Sequence, residues 1–299
     1  MSLRGAARGR GLIESVAAAM LAAALAAGAF TLYLHNERAR RPVATRAAAE
    51  NALRAALAVL EPDLRMAGGY GSSARGEWLA AATPVGLADQ DVRNDCAPAF
   101  VGDLAHPLEA RARYDLACQA VRPASWSEVL IVRRAAAGPR PREPGRVQLA
   151  ATALGGRVAA SAEDVPGAEF YDLVVHAYYV GEDAPGSGER RFALHRQSLA
   201  GGRGGPPRIV DEVVVPGIAD LRVRVGLDLD GDGSADVFVP PGAPELARGR
   251  VVAVRLALTA LATPAPGSRA TVARDGPPPD GRERIVVERT VALRNAAGR

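Results

Sequence analysis

Near the start of the chain, twenty consecutive residues from Ser15 to Leu34 carry no charge. As a helix rising 1.5 Å per residue they reach about 30 Å, the thickness of a bilayer's hydrocarbon core. Nine of the twenty are Ala. The segment is therefore only weakly hydrophobic, and its small residues let neighbouring helices approach closely. That suits a helix which sits in lipid and then leaves it for a packed helical bundle. Glu14 stands at the mouth of the segment, directly after Arg8-Gly9-Arg10-Gly11-Leu12-Ile13. Hydrocarbon offers an anion neither solvent nor hydrogen-bond donors, so a carboxylate placed there is normally placed to meet a partner. Arg4, Arg8 and Arg10 precede the segment while Arg38, Arg40 and Arg41 follow it, so positive charge alone does not set its orientation. A competing reading is an ordinary secretory signal with Ala-x-Ala sites near Ala24 or Ala27. Glu14 weighs against it, because a charge at the head of a short apolar core weakens such a signal.

Behind this segment Pro42 is expected to kink the helix or to mark its exit from the membrane. Val43 to Leu60 then reads as an amphipathic helix, with Leu53, Leu57 and Leu60 on one face and Arg46, Glu50 and Arg54 elsewhere. Pro62 and Gly68-Gly69-Tyr70-Gly71 mark its end. Downstream the period changes to two. Strands are expected over 128–133, 170–180, 208–215, 221–227, 251–261 and 284–294. Leu221, Val223 and Val225 face one way while Arg222 and Arg224 face the other, as in an antiparallel sheet covered on one side. The long helix is the natural cover. Gly/Pro-rich stretches at 138–145, 181–188, 201–207 and 275–281 read as loops between strands, none long enough to divide the region into domains. The fold class expected is α+β, a long N-terminal helix packed on an antiparallel β-sheet domain.

The order Gly9-x-x-Leu12-Ile13-Glu14 before an apolar helix resembles the leader-cleavage site of type IV pilins and type II secretion pseudopilins. The resemblance implies a leader of residues 1–9, cut after Gly9 by a prepilin peptidase, with methylation of the new amine on Arg10. It also implies that Glu14 pairs with the terminal amine of a neighbouring subunit. Arg10 departs from the apolar residue usual just after the cut. Further along, Asp63-Leu64-Arg65-Met66-Ala67-Gly68, Ala193-Leu194-His195-Arg196 and Val215-Pro216-Gly217-Ile218-Ala219-Asp220-Leu221 resemble the PilW group of pilus assembly proteins. So do the acidic run Val225 to Gly233, the segment Val251 to Leu256 and the end Thr290 to Asn295. The set keeps the group's order. It implies residues 10–41 as a transmembrane and filament-core helix, 42–66 as its amphipathic half, and 67–299 as a β-rich periplasmic domain. The implied role is that of a minor pilin helping to start pilus assembly near the filament tip. Its partners would be other minor pilins, the major pilin and a tip adhesin, and its location the inner membrane and then the pilus. The alternatives are a minor pseudopilin of a type II secretion system and a signal-cleaved soluble periplasmic calcium- or ligand-binding protein.

Two local features carry their own chemistry. Cys96 and Cys118 lie 22 residues apart; in an oxidising periplasm they form one disulfide, and otherwise they are two buried thiols. Asp228-Leu229-Asp230-Gly231-Asp232-Gly233-Ser234-Ala235-Asp236 places carboxylates at loop positions 1, 3, 5 and 9 with Gly at 6, as in the first part of an EF-hand-type loop. Asp228, Asp230, Asp232 and Asp236, with the Ser234 carbonyl, are thus candidate Ca²⁺ ligands. Val239 stands where the bidentate Glu of position 12 belongs. The alternative is a hairpin turn whose carboxylates cap backbone amides.

The 37 basic residues, all Arg, are spread among 33 acids, and aromatics are sparse. That pattern speaks against nucleic-acid binding, which calls for clustered cations and stacking rings. His35, His106, His176 and His195 are far apart, and no nucleophile elbow or phosphate loop appears. The chain reads as a binding and assembly protein rather than an enzyme.

Overall fold

The computed structural model describes residues 10–71, 92–97, 100–152, 155–159, 167–183, 191–202, 205–262 and 281–295. Helix α1 spans Arg10–Met66, 57 residues in all. The helix continues through position 42, so Pro42 does not end it. Proline removes one backbone donor, and the unbroken turns on either side carry the helix across. The helix stops where expected. Gly68 adopts φ +73° and the Gly69 amide caps the Met66 carbonyl at 2.9 Å.

The second half of α1 buries one stripe: Ala49, Leu53, Ala56, Leu60 and Leu64. Leu53 and Leu60 lie in the stripe as their spacing requires; Leu57 is at its flank and is only partly buried. Alanine at 49 and 56 lets the helix lie close to the sheets. Each fully buried leucine contributes about 2 kcal/mol of transfer free energy.

Among the described residues eleven strands follow: β1 (Leu108–Arg111), β2 (Val129–Ala135), β3 (Gln148–Thr152), β4 (Gly155–Ala159), β5 (Glu169–Asp183), β6 (Arg191–Gly202), β7 (Gly205–Pro216), β8 (Ile218–Asp228), β9 (Val237–Val239), β10 (Arg250–Ala262) and β11 (Glu283–Ala292). Every ladder is antiparallel. They form two sheets. The larger has the path β1-β2-β5-β3-β4, with β6 on β5 and β7 on β6; the smaller has the order β11-β10-β8-β9. The chain changes sheet at Pro216-Gly217. Gly217 takes φ +90° and would bring a Cβ to 3.7 Å from that of Ala52 on α1, so this corner sits under the helix.

The smaller sheet behaves as the alternation predicts. Leu221, Val223, Val254, Leu256, Leu258 and Val291 face α1, together with Leu130, Tyr178 and Leu194 of the larger sheet. The larger sheet departs from the expectation of one wet face. Val129, Ile131, Val175, Ala177 and Tyr179 on its far side are buried under Tyr70, Phe100, Val101, Leu104 and Leu116. Residues from 92–97, 100–107 and 112–121 cover that face, which is why β2 is buried on both sides. Buried Arg133 anchors the cover, donating from Nε to the Phe100 carbonyl and from Nη1 to the His106 carbonyl, both at 2.8 Å.

The glycine-rich stretch at 201–207 is a further correction. It was expected as a loop, but β6 runs to Gly202 and β7 begins at Gly205, so most of it is hairpin. Gly201 packs so closely on the Gly145 carbonyl that a Cβ would approach to 2.2 Å. Pro206 and Pro207 are tolerated because β7 lies at the sheet's edge.

Candidate functional site

The apolar half of α1 projects from the domain. Ile13–Leu34, 22 residues, is a helix of membrane-spanning length and none of it is buried. Ile13, Met20, Leu21, Leu25, Phe30 and Leu32 are all more than half exposed. An exposed apolar surface of this extent on a soluble body would drive aggregation or mark an interface. Glu14 lies on the first turns of this projection and is exposed, and no described residue of the chain forms an ion pair with it. Arg10 begins the helix, and Gly9, with the rest of residues 1–9, lies outside the described residues.

The helix is held to the domain by polar contacts as well as by its apolar stripe. Asp63, in its last turn, is 5% exposed. Its Oδ1 accepts from Arg134 of β2 at 2.7 and 3.0 Å. Its Oδ2 accepts from the Tyr178 hydroxyl and meets the His176 Nδ1, each at 2.5 Å, both from β5. Burial alone would raise this carboxyl's pKa. The His176 and Tyr178 hydrogen bonds and the Arg134 charge outweigh burial and hold it well below the usual carboxylate range. Tyr178 is pushed upward by burial and by the Asp63 charge. On the solvent side, Arg289 of β11 donates to Glu61 at 2.9 Å, and Arg46 to Glu283 at 2.7 Å. Sequence spacing alone did not bring Asp63 and His176 together. The available signal was an Asp falling in the helix's buried stripe, with His and Tyr at i and i+2 on one strand face.

The acidic loop joins β8 to β9. The structure brings ligand oxygens of Asp228, Asp230 and Asp236 within 4.8 Å of one another; Asp232 is not in that group. The same carboxylates also hold the turn. Asp228 accepts from the Gly231 amide at 2.6 Å and from the Gly233 amide at 3.0 Å. Asp236 accepts from the Leu229 amide at 2.7 Å, and Asp232 from that of Ser234 at 2.6 Å. Gly231 and Gly233 both take φ +87°, a conformation that favours glycine. Desolvation acts to raise the Asp228 carboxyl, but the two glycine amides, Arg250 and Asp230 together hold it below its ordinary pKa. The loop is an amide-capped turn that also presents three converging carboxylates. Oxygen-only donors suit a hard cation such as Ca²⁺.

Cys96 and Cys118 are joined as a disulfide. Both are buried, and the bond ties the segment covering the larger sheet to itself. Beside it, Tyr114 packs on Tyr179 with ring centroids 4.9 Å apart, and Tyr179 stacks on His195 at 5.1 Å. His195 meets Asp211 at 3.2 Å. This polar cluster lies within the packed interior, between the sheet and its cover.

Residues 177–295 match the family model of the type IV pilus-assembly protein W. The match runs from within β5 past the end of β11. It contains the Ala193–Arg196 and Val215–Leu221 segments, the acidic run and the last two strands, and leaves out α1 with its Asp63–Gly68 motif. Among solved structures, a type IV-like pilin from Thermus thermophilus is similar at 14% identity, over 83% of this chain and 96% of that one, with a TM-score of 0.39. No curated protein matches the chain.

Proposed function

Taking as premise that this chain is PilW-like over residues 177–295, we propose that it is a minor pilin of type IV pili, acting in the initiation of assembly within a tip-proximal complex of minor pilins. The observation that carries this is the continuity of α1. One helix joins a fully exposed apolar span to an amphipathic half docked on the PilW-like sheets. In this reading Ile13–Leu34 lies in the inner membrane with the sheet domain in the periplasm, then passes into the filament core. A prepilin peptidase cuts after Gly9. The amine freed on Arg10 is methylated, and Glu14 meets the amine of a neighbouring subunit, which supplies its counter-charge. The major pilin and a tip adhesin are the further partners of the same assembly.

Deletion of the gene tests the system, and Glu14→Ala tests the role. Loss of surface pili and twitching with exoprotein secretion intact supports the pilus assignment. The reverse result assigns the chain to a type II secretion pseudopilus. Glu14→Ala is expected to leave the protein folded and in the membrane but absent from sheared pili; normal incorporation would refute the pairing role. Sequencing the mature N-terminus completes the test. A start at Arg10 supports leader cleavage, and a start after Ala24 or Ala27 removes the pilin reading.

A further inference from the structure

The smaller sheet turns one face to α1 and leaves the other open. Arg222 and Arg224 of β8, Arg255 of β10, and Glu288 and Thr290 of β11 lie on the open face. Arg255, Glu288 and Thr290 are exposed, and the Arg224 side chain is 40% exposed. This face points away from α1, so it stays accessible whether the helix lies in lipid or among other helices. At its centre Arg224 and Arg255 stand directly opposite each other on adjacent antiparallel strands. Like charges so opposed destabilise a sheet. Arg224 is balanced, because its Nη1 donates to the buried Glu128 at 3.2 Å. Arg255 is held differently. Its guanidinium carbon lies 4.0 Å from the centroid of the Phe238 ring, and its Nε donates to the Thr290 hydroxyl at 3.3 Å. Neither neighbour carries a charge. Glu288 stands diagonally across on β11, yet among the described residues neither it nor any other acid forms an ion pair with Arg255.

An aromatic ring against a guanidinium fixes its plane and leaves its terminal N–H groups unspent. A fixed fork without a counter-charge is suited to receive a carboxylate through two parallel hydrogen bonds. We infer that the open face of the smaller sheet is a docking surface for a partner protein, which seats an Asp or Glu carboxylate on Arg255. The charges on the face favour such a partner over a polyanion. Arg222 is matched by Asp220 at 3.0 Å and Arg224 by Glu128, and Glu288 stands beside the remaining fork. The face therefore offers one uncompensated cation, where a nucleic acid would need a track of them for successive phosphates. A bound carboxylate would also relieve the opposition of Arg224 and Arg255.

The test places a photo-activated cross-linking residue at Val286 of the full chain, expressed in its own cells. Val286 is 56% exposed on the same face and makes none of the contacts above. It lies about 13 Å along β11 from Thr290, within the reach of an interface of ordinary size. Adducts are identified by mass spectrometry, and the binding of the purified partner to the detergent-solubilised chain is then measured. Arg255→Gln is the informative variant, because it strands no buried acid. It is expected to weaken binding about tenfold, as loss of an anchoring Arg does, with an unfolding midpoint unchanged or raised. Replacing the partner's carboxylate by Arg is expected to weaken binding equally, and Arg255→Glu to restore it. Absence of a protein adduct overturns the docking surface, as does an adduct with nucleic acid or lipid alone. Equal binding by Arg255→Gln overturns it too. So does weaker binding accompanied by a lowered midpoint and no rescue by the reversed pair, which would make Arg255 a structural residue.

Discussion

The Asp63 carboxylate in the last turn of α1 lies 2.5 Å from the His176 Nδ1 of β5, across 113 residues of sequence. With Arg134 and Tyr178 it forms a polar clamp at the end of an otherwise apolar helix–sheet seam. The clamp fixes the axial register of α1 on the sheets, because an apolar stripe of Ala and Leu permits sliding and a four-way hydrogen-bonded carboxylate does not. In the pilin reading, that register transmits any pull on the membrane helix to the domain.

Removing the carboxylate leaves the Arg134 guanidinium partly buried without its partner. Breaking a buried pair from one side costs about 3 kcal/mol. Asp63→Ala is therefore expected to lower the urea unfolding free energy of the detergent-solubilised chain by about that amount. Hydrogen exchange should rise first in the last turns of α1. Unchanged stability and exchange would show that the apolar stripe alone holds the helix.

The pH dependence separates Asp63 from Asp220, a buried aspartate of β8 whose shift runs the other way. Asp63 is held below its ordinary pKa. Its contribution is fully present above about pH 4 and is lost as pH falls through its depressed folded value. Burial raises Asp220, against the opposing pull of Arg222, which donates to it at 3.0 Å. Its ionised form is therefore disfavoured in the fold, and its contribution, present at low pH, is lost as pH rises through the raised value. Unfolding free energies for Asp63→Asn and Asp220→Asn at pH 3 and pH 7 check the sign. The Asp63→Asn deficit should be larger at pH 7. Asp220→Asn should compare better with wild type at pH 7 than at pH 3.

The parts of this fold legible in sequence are those in which one periodicity acts alone. The helix end at Met66 and the strands β2, β5, β7, β8, β10 and β11 follow from apolar spacing and glycine punctuation. The five strands not anticipated have other causes. β9 is three residues long, β1 is four, and β3 and β4 are Ala- and Gly-rich. β6 carries His195, Arg196 and Gln197 because its far face is covered by a loop, not by water. The second sheet was hidden for a similar reason. The chain passes from one sheet to the other at Pro216-Gly217, and no local pattern distinguishes such a corner from a turn within one sheet. At the candidate site, Glu14 and the aspartates are visible as types and spacings. The Asp63–His176 contact is long-range and leaves no local pattern.

The disulfide should act locally. Closing a loop of 22 residues removes about 3 kcal/mol of freedom from the unfolded chain. Cys96→Ser/Cys118→Ser is expected to lower stability by about that much. It should also expose the cover of the larger sheet to trypsin at Arg111, Arg113 or Arg122, with α1 and the smaller sheet still protected. Cleavage spread evenly over the chain would show that the cover and the sheets unfold as one unit.

Calcium binding to the acidic loop is the remaining proposal, and its strength can be bounded. Three carboxylates converge within 4.8 Å, but Val239 replaces the bidentate ligand that tight loops of this kind place at position 12. The expected dissociation constant is therefore on the order of 10⁻⁴ to 10⁻³ M, as in weak extracellular modules. A ligand bound only by the folded state stabilises by RT ln(1 + [L]/Kd). Calcium at ten times Kd should thus add about 1.4 kcal/mol. Asp230→Asn is the informative variant, because the one loop amide that Asp230 is seen to cap is that of Asp232. Asp228→Asn would also disturb the Gly231 and Gly233 amides. Calorimetry and unfolding with and without Ca²⁺ should show binding and added stability in the wild type, both lost in Asp230→Asn. A flat trace for the wild type would leave the loop as an amide-capped turn and nothing more.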